Sequence, residues 1–226
     1  MAPTRFPSGV TNVAPNDPLA ALGMLDPTKY HVFFDDFDRY DETNNWTPTA
    51  VGTSTAALAD VDGGILRITT DDAENEGVWL ETVAEGFLLE AGKKAWVKAR
   101  FAVGDAIQSD MVFGLHSTST TPQAAAMRFL FASDDGSAAM YFNIDDNSTD
   151  ADSATVVTLA DDVFVTVAAY YDGKGNVKLY ANDVHVTTMT GVSIPGAEMG
   201  VGFGYINGAS GVETTDVDYI LVIKER

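Results

Sequence analysis

The stretch AAYYDGKGNVKLYAND, Ala168 to Asp183, decides the fold. It holds two strand-like runs separated by turn chemistry: Tyr171-Asp172-Gly173 closes the first, and Asn182-Asp183 closes the second. Asp, Asn and Gly suit turns because they bond their own backbone or accept a positive φ at little cost. Val177 and Leu179 alternate with Lys178 and Tyr180, and Val184 and Val186 resume after Asn182-Asp183, which predicts a hairpin. Upstream, Val163, Val165 and Val167 form a row of the same period.

The period of two persists in both directions. Met111, Phe113 and Leu115 share a face, as do Phe129 and Phe131, and Met140, Phe142 and Ile144, with Tyr141 and Asn143 opposite. Met199, Val201, Phe203 and Tyr205 alternate with Gly200, Gly202 and Gly204, and Val217, Tyr219, Leu221 and Ile223 form a last row. About fourteen such runs between Tyr30 and Lys224 argue for an all-β sandwich or barrel in one domain, residues 30–226. Leu80–Leu89 and Pro122–Met127 are the helix candidates, and both are short. Five of the eight prolines fall at positions 3, 7, 15, 18 and 27, so residues 1–29 read as an extended N-terminal arm with apolar anchors.

Composition narrows the function. The 226 residues carry 13 Lys and Arg against 33 Asp and Glu, a net charge of −20, which argues against nucleic acid and anionic membranes as partners. Zero cysteine removes disulfides, thiolate nucleophiles and Cys-ligated metals, and three His leave little for a metal site. No cofactor is expected. The N-terminus has no continuous apolar segment of the signal-peptide kind, so synthesis in a reducing cytoplasm is expected.

Chemistry-bearing patterns are sparse. Glu81 and Glu85 are four apart, and Asp216 and Asp218 alternate on a strand, but the Glu-x-Asp-x-x-Glu pattern of sandwich glycosidases is absent. No Gly-x-Ser-x-Gly elbow occurs, His116 and His185 read as structural, and Gly173-Lys174-Gly175 lacks phosphate-loop spacing. The acidic runs at Asp60–Gly64, Asp134–Gly136 and Asp145–Asp150 read as turns before they read as cation loops. The glycines at 200, 202 and 204 leave room either for neighbouring aromatics or for a ligand. No catalytic residue and no metal ligand is assigned, and the chain is expected not to be an enzyme.

Two resemblances sharpen this reading. Ala168 to Asp183, together with Asp216-Val217-Asp218-Tyr219-Ile220-Leu221-Val222, resembles the strands of laminin-G and concanavalin A-like sandwiches, which implies a jelly-roll β-sandwich. That fold hosts lectins, hydrolases and scaffolds alike. Arg5 to Pro15, Asp26 to His31, Phe34-Asp35-Asp36-Phe37-Asp38 and the close at Tyr219 to Arg226 resemble structural proteins of tailed-bacteriophage virions. This resemblance implies a capsid decoration or cement protein on the outside of the virion, made in the host cytoplasm and bound to the major capsid protein or to copies of itself. Arg5, Phe6, Val10, Leu19, Leu22 and Tyr30 would then grip the shell. The alternative is a carbohydrate-binding, lectin-like module, with Trp46, Trp79, Trp96 or Tyr205 stacking on surface glycans. A glycoside hydrolase is the less favoured third reading.

Overall fold

The computed structural model describes residues 28–61, 63–147 and 152–226. Arg5, Phe6, Val10, Leu19 and Leu22, and with them almost all of the expected arm, lie outside the described residues.

The described strands are β1 (Tyr30–Asp35), β2 (Trp46–Val51), β3 (Thr55–Leu58), β4 (Leu66–Thr69), β5 (Gly77–Thr82), β6 (Phe87–Leu88), β7 (Ala95–Val103), β8 (Ser109–His116), β9 (Met127–Ser133), β10 (Ala139–Asp146), β11 (Asp152–Thr158), β12 (Val165–Tyr171), β13 (Asn176–Ala181), β14 (Val184–Thr190), β15 (Glu198–Asn207) and β16 (Thr214–Glu225). They pair antiparallel in two sheets. The first runs β14-β13-β12-β7-β16-β4-β3, and the second β11-β10-β9-β8-β15-β5-β2. Strand β16 is bordered by β7 on one side; on the other, Thr214–Val217 pairs with β4 and Ile220–Glu225 with β1.

The alternating rows become the core between the sheets. Phe101 of β7 stacks on Phe113 of β8 at 4.3 Å, and Phe113 reaches Phe203 of β15 at 6.0 Å. Trp46 meets Phe203 edge-on at 4.9 Å. The indole Nε1 of Trp46 donates to Asp35 Oδ2 at 2.8 Å, while Asp35 Oδ1 accepts the backbone N–H of Phe37 at 2.9 Å. Phe37 is buried at a φ of 53°, so one carboxylate fixes both a core indole and a left-handed backbone. The turn at Asn182-Asp183 has positive φ at both residues, 49° and 63°, as a two-residue hairpin requires.

Three expectations need correction. Leu80–Leu89 is not helical: its first residues belong to β5 and Phe87–Leu88 form β6, because Val78 and Leu80 alternate into the core and β5 pairs with β15. Pro122–Met127 yields only a 3-10 turn over Pro122–Ala124 before β9 begins. Val217 does not share a face with Tyr219, Leu221 and Ile223. A bulge at Asp218 shifts the register, so that Val217, Ile220 and Val222 enter the main core while Leu221 and Ile223 pack in a separate outer cluster. One extra residue reverses every later side chain on a strand.

Phe113 joins the two sheets at their centre. Phe113→Ala is expected to lower the unfolding free energy by about 3–5 kcal/mol, measured by urea denaturation.

Candidate functional site

The aromatic residues expected to meet sugars sort by face. Trp46 and Tyr205 are fully buried between the sheets. Trp96 lies on the outer side of the first sheet, buried among Tyr30, Tyr170, Leu221 and Ile223, with Tyr30 at 6.2 Å edge-on. None of these three offers an open ring face in this conformation. Trp79 is buried too, but on the outer face of the second sheet, with Val112, Leu130, Ala132, Ile206 and Tyr141.

That face is built by register. One row across β5, β15, β8, β9 and β10 reads Trp79, Gly204, Val112, Ala132 and Tyr141. The next reads Glu81, Gly202, Gly114, Leu130 and Asn143. The third, from β15 to β10, reads Gly200, His116, Arg128 and Asp145. The glycines admit the side chains of neighbouring strands. A Cβ at Gly204 would stand 2.5 Å from the Trp79 ring, and one at Gly202 would stand 1.9 Å from His116 Nε2. Of the two uses foreseen for the glycine row, close packing is the one observed.

Residues 117–126, between β8 and β9, fold back across this face. Glu85 Oε1 accepts the N–H of Thr118 at 2.6 Å, and Glu81 Oε2 that of Ser119 at 3.3 Å. Further along, Gln123 Nε2 donates to the Ser133 carbonyl at 2.7 Å and to Asp110 Oδ1 at 3.4 Å. The Gln123 carbonyl accepts from Arg128, whose other terminal nitrogen meets Asp145 at 2.5 Å. Under this cover His116 and Val112 have no exposed surface, although both belong to the outward side.

The electrostatics follow from the burial. Desolvation holds the His116 imidazole below its usual pKa, against the opposing pull of the Ser117 carbonyl, Glu81 and Glu85. Its Nδ1 sits 2.9 Å from the Ser117 carbonyl oxygen and 4.0 Å from Glu81 Oε2, so Nδ1 carries the proton and Nε2 a lone pair. Nε2 is buried without a hydrogen-bond partner, and so is Nε of Arg128. Burial pushes the Asp110 carboxyl upward.

Other candidates are structural in place. Asp216 pairs with Arg67 at 2.7 Å and Asp218 with Arg100, across strands of the first sheet. His185 lies on the edge strand β14 and bonds Thr188 at 2.9 Å. Among the described residues, no three His, Asp or Glu gather as a metal-binding group. The sequence shows Glu81 and Glu85 only as a pair four apart, and nothing in it singles out Arg128. The available signal was Trp79-Leu80-Glu81, in which Trp and Glu share a face of one strand.

No family model matches the sequence, and no curated protein matches it. Solved structures do match. The endo-1,3-beta-glucanase of Streptomyces sioyaensis superposes with a TM-score of 0.62 at 16% identity, over 89% of this chain and 98% of that one. The beta-glucanase of Bacillus licheniformis gives 0.58 at 14%, over 84% and 97%. The carbohydrate recognition domain of Emp47p gives 0.60 at 15%, over 88% and 98%. The fold is therefore the concanavalin A-like jelly-roll sandwich. These likenesses overturn the expectation that the chain is not an enzyme: glucanases are built on this sandwich, and a missing Glu-x-Asp motif does not remove the chain from their company. At these identities the shared property is the fold.

The unfolded chain protonates His116 at about pH 6.5, while the folded chain resists until a lower pH. Stability is therefore present above that value and is lost as pH falls through the window below it. His116→Gln is expected to flatten this loss relative to the parent, in urea titrations at about pH 7.5 and about pH 5.5. His31, also held low by burial, remains in both proteins as an internal control. An unchanged pH slope would remove His116 from this role.

Proposed function

We propose that the protein is a carbohydrate-binding sandwich whose ligand face is the outer side of β5, β15, β8, β9 and β10. The observation that carries this reading is Trp79 lying over Gly204, two strands from the cross-strand pair His116 and Arg128. An aromatic plane beside a few placed polar groups is what a sugar ring needs: its C–H face stacks and its hydroxyls both donate and accept. Arg128 Nε supplies a donor and the Glu81 carboxylate, in the row beside Trp79, an acceptor. The net charge of −20 favours a neutral glycan over a polyanionic one. The proteins that share the fold are named for glucan cleavage and for carbohydrate recognition.

The test is calorimetric titration of the whole chain with β-1,3- and mixed-linkage glucan oligosaccharides, with reducing ends followed in parallel. Saturable binding is expected, weakened about tenfold or more by Trp79→Ala, a loss of about 1.4 kcal/mol of the size that truncating an aromatic anchor gives. A time-dependent rise in reducing ends would assign cleavage to the same face. Absence of binding across neutral glucans sinks the reading.

A second reading keeps the virion role, with the major capsid protein as partner. The observation favouring it is an exposed apolar patch on β1, next to the junction with the arm. Val32 and Phe34 are 39% and 55% exposed, and Tyr219 lies 6.3 Å from Phe34. Deleting residues 1–25 is expected to reduce occupancy on purified capsids, scored by gel densitometry. Undiminished occupancy would remove the arm from this role.

A further inference from the structure

The segment that crosses the candidate face opens on five hydroxyl residues and ends on small apolar ones, Ser117-Thr118-Ser119-Thr120-Thr121-Pro122-Gln123-Ala124-Ala125-Ala126. Only Pro122 and Ala125 of it are buried. Its base is closed by Ser117 and Met127, where the Ser117 N–H meets the Met127 carbonyl at 3.0 Å and Ser117 Oγ accepts the Met127 N–H at 3.3 Å. A loop with closed ends, little apolar anchorage and ties that are at most half-buried belongs to the low-stability end of a fold. The surface beneath is of the opposite character: an indole, an imidazole and aliphatic side chains.

The cover is also chemically incomplete. It leaves His116 Nε2 and Arg128 Nε buried with no partner, on directly opposed residues of β8 and β9. Buried polar atoms are normally satisfied. His116 Nε2 lies against Gly202 on the β15 side and Arg128 sits on β9, so the two are separate open positions, and none of the segment's five hydroxyls reaches either.

We propose that residues 117–126 are a displaceable strap that keeps the saccharide face closed and swings about its Ser117–Met127 base to admit the ligand. This inference rests on the carbohydrate reading above and adds its regulation: the ties from Glu85 and Gln123 set how much of the protein is competent to bind. Glu85 holds the strap at its start and Gln123 past its middle, and neither belongs to the ligand face itself.

A closed fraction weakens the apparent affinity by the share of molecules that are open. The double variant Glu85→Ala, Gln123→Ala is therefore expected to bind a β-1,3-linked glucose hexasaccharide about three-fold or more tightly than the parent chain. Two measurements need no ligand. Native-state hydrogen exchange at Thr118 and Ser119 should be much faster than at Phe113 in β8, and acrylamide should quench tryptophan emission more in the double variant, since of the three tryptophans Trp79 is the one on the face the strap crosses. Thr118 and Ser119 exchanging no faster than Phe113 overturns the strap. So does a hexasaccharide bound equally by parent and variant, which leaves the carbohydrate reading intact. Fast exchange and raised quenching with no hexasaccharide bound by either protein overturn the carbohydrate reading instead and leave the strap standing as a mobile cover.

Discussion

Strand β15 sets both faces of the second sheet. On its inner side Met199, Val201, Phe203 and Tyr205 are fully buried, while its outer side at 200, 202 and 204 has no side chains at all. Glycine in a strand costs roughly 0.5–1 kcal/mol against alanine. Covering an indole of about 200 Å² returns at most about 5 kcal/mol at roughly 25 cal/mol per Å². The balance favours glycine wherever a large neighbour must lie flat, and Trp79 and His116 do so on Gly204 and Gly202. The candidate face, the burial of His116 and the need for a cover all descend from that one alternation.

The sandwich was legible because period-two rows are a backbone property. The rows at Met111–Leu115, Phe129–Phe131, Met140–Ile144 and Met199–Tyr205 all fall where alternation places them. Where reading by period failed, a local event intervened. The bulge at Asp218 leaves no mark in composition, since Asp216-Val217-Asp218-Tyr219 alternates without a break. Val163, read as part of a row, precedes β12 and is exposed. The site was less legible because its members come from β5, β8 and β9, and only register brings Trp79, His116 and Arg128 onto one surface. The aromatic residues picked out as platforms were mostly core, because size and apolarity drive burial more strongly than recognition does.

With no cysteine, fastening falls to carboxylates. Asp41 accepts the N–H groups of Thr43 and Asn44, Asp105 those of Ile107 and Gln108, and Asp172 those of Lys174 and Asn176. Arg67 and Arg100 take up Asp216 and Asp218 on the first sheet, and Arg128 takes up Asp145 on the second. Much of the acidic excess is thus spent on local geometry. On the candidate face Glu81 accepts a backbone N–H of the strap and Asp145 pairs with Arg128.

The pairing of β1 with β16 has a consequence for biogenesis. Tyr30 lies opposite Glu225 and Asp35 opposite Ile220, so the first described strand bonds only to the last. A ribosome delivers them roughly 190 residues apart. During that interval β1 holds Val32 and Phe34 on an unsatisfied edge, and the first sheet cannot close around it. Such long-range closure is slow and leaves the nascent chain open to association with its neighbours. The first sheet therefore closes only after β16 has been made.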